Sequence, residues 1–400
     1  MSDEQFPLPE GSVLVHIGPY KTGTTAIQTS LGMHREGMAR HGVLYPGRHH
    51  RQFREGWALL GKGPLGVNEV PSHEWDDMVA EVRSSDAKRV CISTEDLASA
   101  GPAKAQQLVD DLGRDRVHLA IVVRRLDRLL PSAWQQRVKS SNEARTYEEW
   151  LGEVLAEKTP TSGPGNTFWH NHGVDRLLSR WRDAVPAERV TLIVADESDR
   201  TQLARTFERL LDLPPDLLTP GPRDNTSLTL DKIELNRLVN KAFDERGWDD
   251  AHRRKFILRG MINGLRRASA DETDVPIPSL PRWAAERVAQ LSDDRVDEIV
   301  SSGARVIGDP ESLRYVVSDD AGDMPPLPET IRLETAAYAV EALVEAAIKG
   351  EAAARRSGIR EGRSRTAAKP RPSVDGISSK AMLREIARRQ RARVSRRLGR

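Results

Sequence analysis

Ser12-Val13-Leu14-Val15-His16-Ile17-Gly18-Pro19-Tyr20-Lys21-Thr22-Gly23-Thr24-Thr25 is the stretch that decides the fold. Residues 12–17 are short, apolar and partly β-branched, the composition of a strand buried on both faces. A loop of glycine and hydroxyl residues comes next, and a helix is predicted from about 24 to 40. Strand, glycine-bearing loop and helix start, in that order, build an anion site. The first amides of a helix have no intrahelical partner and point outward, and the helix dipole favours a phosphate or sulfate there. Gly23 lets the backbone approach the anion closely. Thr22, Thr24 and Thr25 offer hydroxyls, and Lys21 offers a positive charge.

The same rhythm continues outward from this loop. Short strands are predicted at 43–45, 89–93, 116–123 and 189–195, and helices at about 72–83, 103–112, 127–140, 173–184 and 199–211. Alternation to about residue 213 argues a three-layer α/β/α fold, a central parallel sheet with helices on both faces, and the loop directly after its first strand makes the arrangement resemble the P-loop-NTPase-like folds. Ligands of such sheets bind outside the carboxyl ends of the strands. Residues 46–70 and 158–172 read as loops, the first long enough to be functional. Beyond Asn225 the pattern turns to helices only, at about 229–245, 250–268, 281–301 and 328–348. The expected division is an α/β core at 1–225, a helical C-terminal part packing on it at 226–350, and a basic, flexible tail at 351–400. Within the tail, 357–379 reads as a linker and 380–398 as a basic helix.

Bulk properties bound the function. A chain of 400 residues, 38% apolar and 30% charged, is expected to be a soluble globular protein with room for a sizeable core. No apolar run approaches the roughly 20 residues that span a bilayer, and residues 1–12 lack the pattern of a secretory signal. Cys91 is the single cysteine, which excludes an intrachain disulfide and a cysteine-rich zinc site. A cytoplasmic address is the expectation. The formal charge of +2 hides an asymmetry, because residues 351–400 hold 16 Lys and Arg against 4 Asp and Glu, leaving an acidic body.

The spacing then narrows the anion. A triphosphatase loop reads G-x-x-x-x-G-K-[ST], with lysine directly after the second glycine. Gly18 and Gly23 keep that separation, but Thr24 holds the lysine position and Lys21 lies two residues before Gly23. Asp196 is a candidate strand-end carboxylate for magnesium, and equally a cap for the next helix. The order lysine, hydroxyl, glycine, threonine, threonine resembles the phosphosulfate loop of sulfotransferases that use 3′-phosphoadenosine 5′-phosphosulfate (PAPS). The resemblance implies PAPS as co-substrate, no metal, and a demand elsewhere in the chain: an arginine after a later strand and, eight residues on, a serine opening onto a helix, together holding the 3′-phosphate. The strand 117–123 ends at Arg124-Arg125, and Ser132 lies eight residues beyond Arg124. Either arginine could make the contact, through a planar fork suited to phosphate. Looser echoes are Val194-Ala195-Asp196-Glu197, Arg223-Asp224-Asn225-Thr226-Ser227 and residues 303–309. The resemblance covers about residues 11–315.

Sulfuryl transfer to a hydroxyl also needs a base. By resemblance it is a histidine or a glutamate, and Glu95, just beyond the strand 89–93, is the first candidate. Its competing role is to cap the next element or pair with an arginine. His16 lies inside the first strand and reads as a core residue. His170 and His172 sit on an expected loop, and His49-His50 on the loop that could line an acceptor groove. The implied acceptor is a small molecule, carbohydrate or glycolipid. The tail reads first as a solvated extension and second as a peripheral contact for anionic membrane, with a sparse apolar stripe (Leu383, Ala387, Val394, Leu398). Nucleic acid is disfavoured because no aromatic residue is interleaved for base stacking. The rivals are a P-loop kinase or NTPase, and a non-catalytic module that binds a phosphonucleotide. Oligomeric state is left open.

Overall fold

The computed structural model describes residues 6–63, 69–156, 162–219, 228–268 and 275–367, the last fifteen as backbone only. Two compact units emerge, Met1–Ala346 and Ala347–Arg400. The first contains a six-stranded sheet in the order β2-β3-β1-β4-β5-β6, every neighbouring pair parallel. The strands are β1 (Val13–His16), β2 (Val43–Leu44), β3 (Arg89–Ser93), β4 (Val117–Val123), β5 (Val190–Val194) and β6 (Arg305–Ile307). The three-layer α/β/α reading of the sequence is the architecture found.

Alternation along β1 explains the layers. Val13 and Val15 face one core with Val90, Ile92, Leu119 and Ile121, covered by residues of α4 (His73–Ser84), α5 (Pro102–Leu112) and α9 (Val174–Trp181). Leu14 faces the other with Cys91, Ala120, Val122 and Ile193, covered by α1 (Thr24–Met33) and α10 (Gln202–Leu211). Side chains of successive strand residues point to opposite faces, so a strand apolar at every position must be covered on both. A third core joins α6 (Leu126–Ser140), α7 (Tyr147–Leu155) and α8 (Gly163–His172) to α11 (Leu230–Arg246), a π-helical stretch (Arg253–Met261), α13 (Ile262–Arg267) and α14 (Arg282–Ser301). No helix among the described residues is long and apolar enough to cross a membrane.

Four expectations are corrected. The 46–70 segment contains α3 (Phe53–Leu60), which buries Ala58 and Leu59 and stops at Gly61 in the left-handed conformation. The 158–172 segment contains α8 instead of a loop. Its Pro164 sits in the first turn, where a missing N–H costs nothing, and Phe168, Trp169 and His172 are buried. The C-terminal part is not helices only, since residues 305–307 add β6 beside β5 in the register Thr191↔Arg305. Finally, α15 (Leu333–Ala367) runs through the start of the expected linker, in a stretch rich in the strong helix formers Ala, Glu and Arg. The rest of the linker and the basic helix at 380–398 lie outside the described residues.

The topology positions the site. The chain leaves β1 for β2 and β3 on one side, then crosses to β4 on the other, which makes β1 the switch point of the sheet. Register places His16 beside both Ser93 and Ala120. The carboxyl ends of β1, β3 and β4 therefore open along one edge of the sheet, and they deliver the loop 18–25, Glu95 and Arg124 to it.

Candidate active site

The loop after β1 is shaped by backbone conformations that most residues avoid. Gly18, Lys21 and Gly23 all have positive φ, at 84°, 67° and 95°. Gly18 is held from below, its carbonyl accepting from the Val122 amide at 2.7 Å. A side chain at Gly18 has no room, because a Cβ there would lie 2.9 Å from that of Glu95. Gly23 is the N-cap of α1 and offers no side-chain cap, so the first amides of this ten-residue helix face outward. Thr22 is buried and donates its hydroxyl to the Pro19 carbonyl at 2.7 Å, bracing the loop from within. Thr25 is half-buried on the first helical turn.

Glu95 meets this loop from β3. One carboxylate oxygen accepts from Thr24 Oγ1, and the other lies 3.2 Å from Arg51 Nη2. Arg51 in turn donates through Nε to Gln28 on α1, at 3.0 Å. The pairing role foreseen for Glu95 is thus filled by Arg51, a residue that carries no signal of its own in the sequence, and the carboxylate stays at the loop's edge.

The two arginines after β4 separate. Arg124 donates from Nη1 to the Lys21 carbonyl at 2.9 Å, tying β4 to the loop, and its fork grips Glu197 at 2.5 and 3.0 Å. Arg125 turns to Asp127 at 2.9 and 3.2 Å. Ser132 is half-buried on the second turn of α6. Glu197, which the sequence marks only as an acidic strand end, is the anion in the Arg124 fork.

Further cations bear on Lys21. The half-buried Lys21 is held below the usual lysine range, first by desolvation and then by repulsion from Arg124 and Arg266, with Glu95 opposing. Lys139, near the C-terminal end of α6, is 8% exposed. Burial, then repulsion from Lys21 and Arg266, pushes its ammonium down to about 7. Arg266 reaches the cluster from α13, whose Gly264 packs so tightly on α15 that a Cβ would meet the Tyr338 carbonyl oxygen at 2.2 Å. Sequence reading missed Lys139 and Arg266; a single lysine or arginine on a helix carries no signal of burial.

The histidines resolve differently from one another. His16 is fully buried, pairs with Ser93 Oγ at 2.7 Å and packs edge-on against Phe207. Burial lowers it to about 3, so it is a neutral core residue as expected. His172 is also fully buried, on α8, with its ring 4.7 Å from that of Tyr20. Burial and Arg295 lower it to about 3, and neither ring nitrogen has a partner among the described residues. His170 lies 3.5 Å from both the Ser99 carbonyl and Arg180. His49 and His50 are exposed, and the His50 backbone crosses directly over Gly32. Asp196 accepts from the amide and hydroxyl of Ser198 at 2.8 and 2.6 Å, a local turn rather than a cap on α10.

No family model matches the chain, and no curated protein does. Among solved structures it is similar to a sulfotransferase from Alicyclobacillus acidocaldarius. Identity is 15% and the TM-score 0.38, over 53% of this chain and 85% of that one. That likeness is too slight to assign chemistry, which rests on the residues themselves.

Proposed function

We propose that the chain transfers a sulfuryl group from PAPS to a hydroxyl of a small-molecule or carbohydrate acceptor. The observation that carries this reading is the convergence of Lys21, Arg124 and Glu95 on one loop, through Arg124 on the Lys21 carbonyl and Thr24 on Glu95. A donor with phosphate at both ends needs two anion sites joined by a fixed span. The loop amides and Lys21 supply one. Arg124 with Ser132 supplies the other, once the 3′-phosphate replaces Glu197 in the guanidinium fork.

Chemistry follows from this placement. The acceptor oxygen attacks sulfur in line while the bond from sulfur to the bridging oxygen breaks. The hydroxyl proton passes to Glu95, and the electron pair stays on the 5′-phosphate. Lys21 neutralises the charge that develops on the bridging oxygen. Loop amides with Thr24 and Thr25 hold the phosphosulfate, so positioning and charge carry most of the acceleration, as in phosphoryl transfer. Arg51 and Thr24 fix the Glu95 carboxylate against the loop while leaving each oxygen a further lone pair for the acceptor proton.

Thermal-shift titration with adenosine 3′,5′-bisphosphate, compared with ATP and magnesium, tests the donor. Preferential stabilisation by the bisphosphate is expected. Preference for magnesium-ATP would instead favour a P-loop kinase and sink the proposal.

A further inference from the structure

Lys139 stands apart from the other buried charges near the site. Its neighbour on α6, Arg137, is paired with Glu143 at 3.1 Å, and Arg145 reaches the same carboxylate at 2.7 Å. Lys139, at 8% exposure, makes no hydrogen bond or ion pair among the described residues. A buried ammonium without a partner is costly to the fold, and here two further cations, Lys21 and Arg266, lie close enough to repel it. Such an arrangement is relieved either by loss of the Lys139 proton or by entry of an anion, and the anion alone leaves the charge in place for recognition.

The donor's own anions are satisfied elsewhere in the proposed arrangement. Arg124 and Ser132 take the 3′-phosphate, and the loop takes the phosphosulfate. Ser132 and Lys139 are seven residues apart on α6, nearly one above the other and about 10 Å apart along the axis. Lys139 therefore lies two turns beyond the 3′-phosphate residue, and the charges bearing on it are those of Lys21 and Arg266. Lys21 is the residue assigned to the reacting bridge. With both ends of the donor taken by other residues, a cationic site that adjoins Lys21 without belonging to the 3′-phosphate pair is left for the other reactant, the acceptor.

We infer that the acceptor is itself anionic: a hydroxylated molecule carrying a carboxylate, sulfate or phosphate that docks on Lys139 and Arg266 beside Lys21. The inference rests on the sulfuryl-transfer reading and narrows it to a substrate class. Lys139 and Arg266 are positioning residues, and the bound anion would hold the neighbouring hydroxyl toward Glu95.

The test uses full-length protein saturated with adenosine 3′,5′-bisphosphate, applied to an array pairing carboxylated, sulfated and phosphorylated glycans with their neutral parents. Wild type should bind at least one charged member at least ten-fold more tightly than its parent. Lys139→Met with Arg266→Gln should bring that ratio within two-fold, while calorimetric affinity for the bisphosphate stays within two-fold of wild type. Arg266→Gln alone, a change at an exposed position, should lower the ratio by an intermediate factor and guards against misfolding of the double variant. Equal binding of charged and neutral members, or a preference that survives the double variant, overturns the inference. So does a ten-fold loss of bisphosphate affinity in the double variant, which would return the cations to the donor. Failure of wild type to bind the bisphosphate at all would be a failure of the transfer reading, seen in the calorimetry and not on the array.

Discussion

Two groups of cations lie within one site and are treated in opposite ways. On the side of β4, Arg124 grips Glu197 and Arg125 grips Asp127, and on the side of β3, Arg51 is paired with Glu95. At the end of α6, Lys139 is buried without any carboxylate partner among the described residues. The paired group can exchange one anion for another at little net change. The unpaired ammonium is held in place by the surrounding fold at a cost in stability, which an anion bound as proposed above would offset. Stability and recognition should therefore respond in opposite directions at Lys139 and in parallel elsewhere.

That contrast can be broken at several points. Lys21→Ala should have the largest effect, a loss of roughly 10²–10³-fold or more in kcat/KM from removal of charge stabilisation at the reacting bridge. Its circular dichroism should be unchanged because Lys21 lies on a loop, and a radiolabelled-sulfate transfer assay with the full activity of wild type would remove it from the mechanism. Glu95→Gln keeps the shape that meets Thr24 but cannot take a proton, so kcat should fall about 10²-fold with bisphosphate affinity unaltered. A kcat within three-fold of wild type would shift the base elsewhere.

Lys139→Met tests the other half of the contrast through stability. The folded-state pKa of Lys139 lies at about 7, below its unfolded value, owing to burial and to Lys21 and Arg266. Between those two values the unfolded chain binds more protons, so stability rises with pH through this window. Removing the ammonium should stabilise the protein by on the order of 2–4 kcal/mol at pH 7 and by progressively less toward pH 10. Urea melts at the two pH values check this, and a destabilised variant at pH 7 would show that Lys139 has a partner in solution.

Arg124→Ala should weaken adenosine 3′,5′-bisphosphate by roughly 1.5–3 kcal/mol, the worth of a charge-assisted contact. Arg125→Ala should change it by less than two-fold, because that side chain faces Asp127; the reverse ranking in calorimetry would exchange their roles. The smallest effect is expected from Glu197→Gln, which weakens the competitor for the Arg124 fork and should tighten the bisphosphate by a few-fold. Weaker binding instead would make Glu197 a support for Arg124 rather than its stand-in anion.

The sequence pointed to the residues at the strand ends, but neither to Arg51 and the pairing of Glu197 nor to the unpaired Lys139. Lys21, Glu95 and Arg124 each come within a few residues of a strand end, so the edge of a parallel sheet locates them without knowledge of packing. Lys139 and Arg266 influence one another only because the π-helical stretch that leads into α13 packs on α6, from more than a hundred positions away in the sequence. Helical segments were missed for a related reason. Gly163, Pro164 and Gly165 read as a breaker, but burial of Phe168 and Trp169 outweighs local propensity. The strand Arg305–Ile307 is three residues long and becomes visible only beside β5.

The contact between Gly18 and Glu95 has a consequence for anyone wishing to redesign this site. With only 2.9 Å between a hypothetical β-carbon and that of Glu95, loop and carboxylate are machined to a single clearance. A library that varied the loop alone, in search of a new donor, would displace the carboxylate with almost every hit. Position 18 and position 95 belong in the same library, or neither does.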